Sequence, residues 1–317
     1  MPQRKPKSKD GRAKLYFQSW MSLIILATLL TNCINFGEIK NGIVFIASRG
    51  SNPVAQSISW SPLDENKVLI RAYETPLQPA ELYLLDIQTH EKEYIVGPTK
   101  NAQFIETKWV PDGRRILILA IDTTGFEPSG WWAVNINGKS AEFIVNPMDT
   151  IAWSPDRKFI AALDRNNSTG IEFKLIDIDT KVEQNVTEFA DMDYTSGMSW
   201  SPDGQFVAFA LGKYQGSNSL FVLNVKTMKV STISEGNKSE QPSWSPKGNI
   251  IVFEDKGRLR LISSDGKCVV EIPGLDDVWS PTWSPDGRKI GYIGRKGIYY
   301  LDPEQVLGRD IYEDLCE

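Results

Sequence analysis

The chain is built from short β-rich apolar runs separated by polar turns, and no long stretch keeps its apolar residues on a helical period. One unit recurs. Ser199 to Ala210 reads SWSPDGQFVAFA, and close copies begin at Ser59 (SWSPLDENKVLI), Lys108 (KWVPDGRRILIL), Ala152 (AWSPDRKFIAAL), Ser243 (SWSPKGNIIVF) and Thr282 (TWSPDGRKIGY). The marker tryptophans Trp60, Trp109, Trp153, Trp200, Trp244 and Trp283 are separated by 49, 44, 47, 44 and 39 residues. A period of about 40–45 residues is that of a four-stranded propeller blade. Each copy supports one parse: a strand ending at the Trp, a turn, a β-rich run such as Phe206 to Phe209, a third strand such as LFVLNV, and a weaker fourth such as VSTI. The expected fold is all-β: a six-bladed β-propeller of four-stranded blades over residues 42–302.

The repeated turn has a local cause. In Ser-Pro-Asp-Gly, proline fixes φ near −65° at the second position, and Asp tolerates the bridge conformation that follows. Gly204 then takes positive φ and closes a type I turn with a bulge. The Trp before the turn offers a large apolar face to wedge between blades. Departures are local: one extra residue lies within Leu63 to Asn66, Arg157 replaces the glycine, and Lys247 replaces the aspartate. Arg157 is therefore expected at positive φ, at a cost in strain. The last blade has three predicted strands, and the tail at 303–317 offers no fourth. GIVFIAS, Gly42 to Ser48, stands before the first Trp at the spacing of a fourth strand, so it is expected to close the ring by joining the chain ends.

The repeated (S/T/A)-W-S-P-D-G motif with its following I-A-F-like strand resembles the TolB-type propeller repeat, found also in the propellers of prolyl oligopeptidase-like and tricorn proteases. The resemblance covers residues 42–302, is specific for fold, and says little about activity. It implies a binding propeller that engages a protein of the cell envelope at one face. Too few residues lie between Cys33 and the first strand for the α/β domain that precedes the propeller in TolB itself.

Charge is unevenly spread along the chain. The formal net charge is −5, yet residues 1–32 hold six basic side chains and one acid, which leaves 29 basic and 39 acidic residues beyond them. Such an acidic body lacks the basic surface that nucleic acid demands. The basic start followed by the apolar run WMSLIILATLL is expected to be a signal peptide over 1–32, since eleven residues fall well short of the roughly 20 that span a bilayer. LTNC, Leu30 to Cys33, resembles a bacterial lipobox, although Asn32 stands where the family has a small residue. The resemblance implies lipidation of Cys33, a tether over 33–41, and a lipid-anchored protein in the periplasm or at the cell surface. Cys268 and Cys316 are then left as a candidate disulfide in an oxidising compartment, with two unrelated thiols the alternative.

Candidate chemistry is sparse. The one histidine, His90, sits in the polar turn THEKE, and no G-x-S-x-G, H-x-x-H, C-x-x-C or phosphate loop occurs. Carboxylates remain. Gln56, Glu106, Asp149, Ser196, Glu240 and Asp277 lie just upstream of the marker tryptophans, where innermost strands begin at the channel mouth. Glu106, Asp149, Glu240 and Asp277 are the candidate partner-binding acids, with Tyr194 and Trp279 as exposed aromatics; Tyr73, Phe126 and Tyr214 fall in loops at the same face. The expected function is an exported, membrane-tethered, non-enzymatic binding propeller. It would recognise a protein or envelope polymer at this mouth, as a monomer and without a cofactor. Two alternatives use the same acids: a carboxylate-dependent glycoside hydrolase, or a sensor module holding a divalent cation at the mouth.

Overall fold

A computed structural model describes residues 43–48, 54–73, 80–97, 102–122, 129–166 and 170–316; among the 24 described strands, no strand pairs outside its own four-stranded antiparallel sheet. The predicted signal peptide, Cys33 and the tether lie outside the described residues.

The first strand, β1 (Ile43–Ser48), belongs to the last sheet. Blade 1 contains β2 (Val54–Trp60), β3 (Lys67–Tyr73), β4 (Glu81–Asp86) and β5 (Lys92–Val96). Blade 2 contains β6 (Ala102–Trp109), β7 (Arg115–Asp122), β8 (Gly130–Asn135) and β9 (Ala141–Val145). Blade 3 contains β10 (Thr150–Trp153), β11 (Phe159–Asn166), β12 (Gly170–Asp177) and β13 (Glu183–Ala190). Blade 4 contains β14 (Tyr194–Trp200), β15 (Phe206–Gly212), β16 (Asn218–Asn224) and β17 (Lys229–Asn237). Blade 5 contains β18 (Ser239–Trp244), β19 (Ile250–Asp255), β20 (Arg258–Ser263) and β21 (Val269–Glu271). Blade 6 contains β22 (Val278–Trp283), β23 (Ile290–Gly294) and β24 (Gly297–Leu301), and β1 completes it in the order β22-β23-β24-β1. Ile43 stands opposite Leu301 and Ser48 opposite Gly297. The expected closure by the N-terminal strand is therefore the observed one.

Six clusters of buried apolar residues lie one at each junction between neighbouring blades. Leu69 and Leu82 of blade 1 meet Ile116 and Ile118 of blade 2, and Ile58 and Val68 of blade 1 meet Ile293 and Ile298 of blade 6. The core is thus a ring of interfaces. Every marker tryptophan belongs to the cluster shared with the preceding blade; five are buried and Trp109 is half-buried. The indole N–H adds a polar link. Trp60 Nε1 donates to Thr282 O at 3.2 Å, Trp109 Nε1 to Ser59 O at 3.2 Å, and Trp200 Nε1 to Ala152 O at 2.8 Å. Each acceptor is the residue just before the previous blade's own tryptophan. Trp244 departs from this, bonding Gly248 O of its own turn at 2.8 Å.

The turns explain their serine as well as their proline. Ser201 Oγ donates to Asp203 Oδ1 at 2.6 Å and accepts from Phe206 N at 2.9 Å, with Gly204 at φ 70°. The same pattern holds at Ser154 and Ser284. The Ser154 hydroxyl is the main reason that the Asp156 carboxyl is held below its ordinary range. Arg157 adopts φ 65°, the left-handed conformation expected where glycine is missing.

Blade 5 has Lys247 in place of the aspartate, and the C-terminal tail supplies the substitute. After a short helix, α1 (Pro303–Leu307), capped by Asp302 and ended by Gly308 at φ 69°, the chain returns over the turns of blades 5 and 6. Tyr312 Oη donates to Gly287 O at 3.0 Å and therefore takes the Ser245 hydroxyl as its donor, at 2.6 Å. Lys247 Nζ lies 4.9 Å over the Tyr312 ring, and Ile311 is buried in the cluster between blades 5 and 6. Cys316 is joined by a disulfide to Cys268, with a Cα–Cα separation of 5.7 Å, which anchors the tail to the turn before β21. The tail had no predicted secondary structure, yet it forms a clasp across the two blades beside the closure.

Three outcomes are expected. Deleting the chain through Ser48 removes the outer strand of blade 6 and should lower the thermal transition markedly; an unchanged melt would show that closure does not stabilise the ring. Trp200→Ala should cost about 3–5 kcal/mol in denaturant unfolding, because it empties a buried interface and frees Ala152 O. Tyr312→Phe should cost about 1–2 kcal/mol, and adding Lys247→Asp should recover much of it by giving the Ser245 hydroxyl a carboxylate again.

Candidate functional site

The innermost strands β2, β6, β10, β14, β18 and β22 run from the blade-to-blade loops toward the Ser-Pro-Asp-Gly turns. The molecule thus has a mouth face and a turn face. Between these strands lies an open channel of about 620 Å³, walled by hydroxyls, prolines and backbone from all six blades.

Near the mouth, inner strands bulge in five blades, with register shifts between Ala55/Ser57, Phe104/Glu106, Thr195/Met198, Glu240/Ser243 and Trp279/Thr282. A bulge leaves backbone groups unpaired and re-aims side chains. Here the bulges bond to one another. Gln241, at φ 51°, donates its backbone N–H to Ser196 Oγ at 3.3 Å. Its own Oε1 accepts from the N–H of Ser280, at φ 57°, over 2.5 Å. Two non-glycine residues are held left-handed in the channel wall by bonds running from one blade to the next.

The predicted site residues divide into two groups. Glu106, Asp149 and Tyr194 line the channel. Glu240, Asp277 and Trp279 line adjoining clefts at the blade 5–6 side of the mouth, together with Glu254 and Gly257. Tyr194 Oη connects the groups by donating to Glu240 Oε2 at 3.4 Å. Gln56, Tyr73 and Phe126 have side chains outside the described ones; Tyr214 is exposed and lies beside Tyr194, ring centroids 6.2 Å apart. His90 lies in the β4–β5 turn at φ 63° and is not among the channel-lining residues.

Most of the acids are neutralised. Lys108 Nζ sits 3.0 Å from Glu106 Oε1 and also donates to Thr150 Oγ1 at 2.8 Å and Ile151 O at 2.7 Å, tying blade 2 to blade 3 inside the channel. Arg165 Nη2 lies 3.6 Å from Asp149 Oδ1, and Arg295 bonds Asp277. Burial nevertheless pushes the Asp149 carboxyl up, against the pull of Arg165. Among the described residues, no three His, Cys, Asp or Glu side chains converge to hold a metal ion.

The exception is Glu240 with Glu254. They face each other directly across β18 and β19. Glu240 Oε1 accepts from Asn218 Nδ2 at 2.9 Å, and Glu254 Oε1 accepts from Gly257 N at 2.6 Å. Burial pushes the Glu240 carboxyl up. Burial first, and then the Glu240 charge, push Glu254 up to about 7. Burial and the Glu240 carboxylate together raise the Tyr194 phenol to about 12, so it remains a donor. Sequence reading missed Lys108, Arg165, Arg295, Asn218 and Glu254. Lys108 alone carried a local signal, standing before a marker Trp where the other copies have Ser, Ala or Thr.

A family model described as the TolB beta propeller domain matches residues 43–286. A protein named Protein TolB homolog, from Chlorobium chlorochromatii, is 28% identical over 137 residues, which is 41% of this chain and 30% of that protein. Tol-Pal system protein TolB from Acinetobacter baylyi is 30% identical over 76 residues, or 22% of this chain and 18% of that protein. The chain thus spans less than a third of the length of these relatives. The crystal structure of TolB from Acinetobacter baumannii superposes with a TM-score of 0.60 at 20% identity, covering 73% of this chain and 57% of that one, which speaks to the fold. The family match takes in well over half of the chain, and the chain belongs to the TolB beta propeller domain family.

Proposed function

We propose that this protein is an exported, membrane-tethered, non-enzymatic binding propeller that captures a protein component of the cell envelope at its mouth face. The observation that carries the reading is the mouth itself. Glu106, Asp149, Tyr194, Glu240, Asp277 and Trp279 surround or adjoin one open polar channel, and three of the four acids are held by cations: Glu106 by Lys108, Asp149 by Arg165 and Asp277 by Arg295. Such pre-set charges and half-exposed aromatics suit protein recognition, in which fixed complementary groups give specificity. The partner is a protein in this reading because a relative is named for the Tol-Pal system.

The topology supports an orientation. β1 begins at Ile43, opposite the end of β24, and so on the turn face. Nine residues from Cys33 to Gly42 reach at most about 30 Å when extended. A lipid on Cys33 would hold the turn face, with its tail clasp, toward the membrane and leave the mouth outward. Glu106, Asp149 and Asp277 are held in ion pairs, and Glu240 and Glu254 stand opposite each other on neighbouring strands of one blade rather than on two sides of the channel, so this reading keeps the glycoside-hydrolase alternative second.

The test is affinity capture from the native membrane with the tethered protein. Glu106→Lys combined with Asp277→Lys places like charges beside Lys108 and Arg295, and capture should weaken about tenfold while the thermal transition stays near wild type. Equal capture by a folded double variant would refute the mouth as the working surface.

A further inference from the structure

The bulge in β18 decides what Glu240 faces. Trp244 pairs with Ile251 and Ser243 with Val252, and an unbroken ladder would set Glu240 against Asp255. Because the register shifts at Gln241 and Pro242, Glu240 instead meets Glu254. Directly opposed carboxylates repel, and the half-buried setting strengthens that repulsion. A strand pair with free choice of register would avoid the arrangement. Here the bulge is held by Ser196 Oγ on one side and the Ser280 N–H on the other.

We propose that Glu240 and Glu254 act as a single proton-sharing pair that sets the charge of the mouth, so that the face carries one more negative charge above neutral pH than below it and capture there is pH-dependent. The inference rests on the mouth reading above for its consequence, and on the pair's geometry for its mechanism.

The groups facing the pair come from every adjacent element. Tyr194 and Asn218 approach Glu240 from blade 4. Lys238, Lys256 and Asp277 line the same cleft as both glutamates; the Lys238 charge pulls both carboxyls down against the effect of burial, and Arg295 holds Asp277. Asp255 follows Glu254 but is paired with Arg260, Nη1 to Oδ2 at 2.7 Å. Asn218 is 3% exposed, and its Oδ1 has no donor. An amide that offers Nδ2 to an ionised carboxylate can, after a half-turn, offer Oδ1 to a protonated one. The pocket therefore contains a partner for either state of Glu240. Gly257 N serves Glu254 in the ionised form. With one proton between them, the two glutamates lose their mutual repulsion; without it, the added charge sits beside Trp279 and Asp277 at the cleft.

The sign of the stability effect follows. Glu254 has a raised carboxyl in the fold, so the folded chain binds more protons than the unfolded one between the ordinary glutamate range and about pH 7. Stability falls as pH rises through that window and levels off above it. Glu254→Gln keeps an acceptor for Gly257 N and should flatten this slope.

The decisive measurement is a titration of the full chain labelled with carboxyl-¹³C glutamate, followed by NMR. The expected result is a Glu254 midpoint near neutrality that drops by roughly one unit or more in Glu240→Gln. A Glu254 midpoint among the ordinary glutamates overturns the proposal, as does a high midpoint that Glu240→Gln leaves unmoved, since burial alone would then explain it. Capture from membranes is then compared at pH 6 and pH 8. A response in wild type that disappears in Glu254→Gln supports the regulatory step; a raised and coupled Glu254 midpoint with capture indifferent to pH, or a pH response that persists in Glu254→Gln, overturns it. The mouth reading is decided separately by the Glu106→Lys/Asp277→Lys variant.

Discussion

The fold depends on one repeated contact: an indole wedged between two blades, whose N–H, at Trp60, Trp109 and Trp200, also reaches the carbonyl of the residue before the previous blade's indole. A single four-stranded antiparallel sheet has two faces and no core of its own, so it is stable only when its neighbours cover both. The tryptophans meet that need in series, since each blade's marker residue packs on the blade before it. Such a series is stable only if it closes. Trp60 meets the carbonyl of Thr282, and β1 pairs with β24, so the apolar junction and the sheet junction both close at blade 6.

Closure concentrates the covalent and polar reinforcement on one side. The tail clasp, the Cys268–Cys316 disulfide and the start of β1 all lie on the turn face at blades 5 and 6. Lys247 is best understood as part of this clasp rather than as a degenerate repeat. An aspartate there would occupy the Ser245 hydroxyl that Tyr312 uses, and would place a carboxylate where Lys247 now lies over the Tyr312 ring. The mouth face is left with loops and bulges, where side chains are free of the demands of closure. Binding residues concentrate on such loops when a rigid scaffold fixes them.

Blade number, strand order and closure were legible because they follow from local chemistry repeated six times: proline and aspartate for the turn, glycine or a strained Arg157 for its exit, tryptophan for the wedge. The site was legible only as a list. Position before a marker Trp identified Glu106, Asp149, Glu240 and Asp277 as mouth residues, but it did not reveal their partners. Asp277 and Arg295 lie beyond Val278 and Gly294, the last paired residues of their strands, and counting outward from the turn would bring them together only if the bulge were known. Gly197, Pro242 and Pro281 sit inside the bulges of blades 4, 5 and 6, where a strand-interior glycine or proline is the available signal, whereas no such residue marks those at Gln56 and Ile105. Lys108 and Asn218 act across blades, where separation along the chain carries no signal. The tail was missed because five residues of helix are too short for periodicity to register.

These two scales of constraint explain why the mouth has its charge pattern. Ring closure fixes the inner strands to within a hydrogen bond of one another, so any acid on them must find a partner within the channel or be pushed toward neutrality by burial. Glu106 and Asp277 find a cation, and Asp149 finds Arg165 while still being raised by its burial. Glu240 and Glu254 form no ion pair within 4.0 Å among the described residues; they stand opposite each other on β18 and β19, with Lys238 the cation whose charge reaches both. A bulge that merely relieved strain would not set two glutamates in register. Because this one is pinned from both neighbouring blades, the repulsion cannot be relieved by slipping the strand; the Lys238 charge and the hydrogen bonds from Gly257, Asn218 and Tyr194 favour the ionised forms, while burial favours a proton on one of the two.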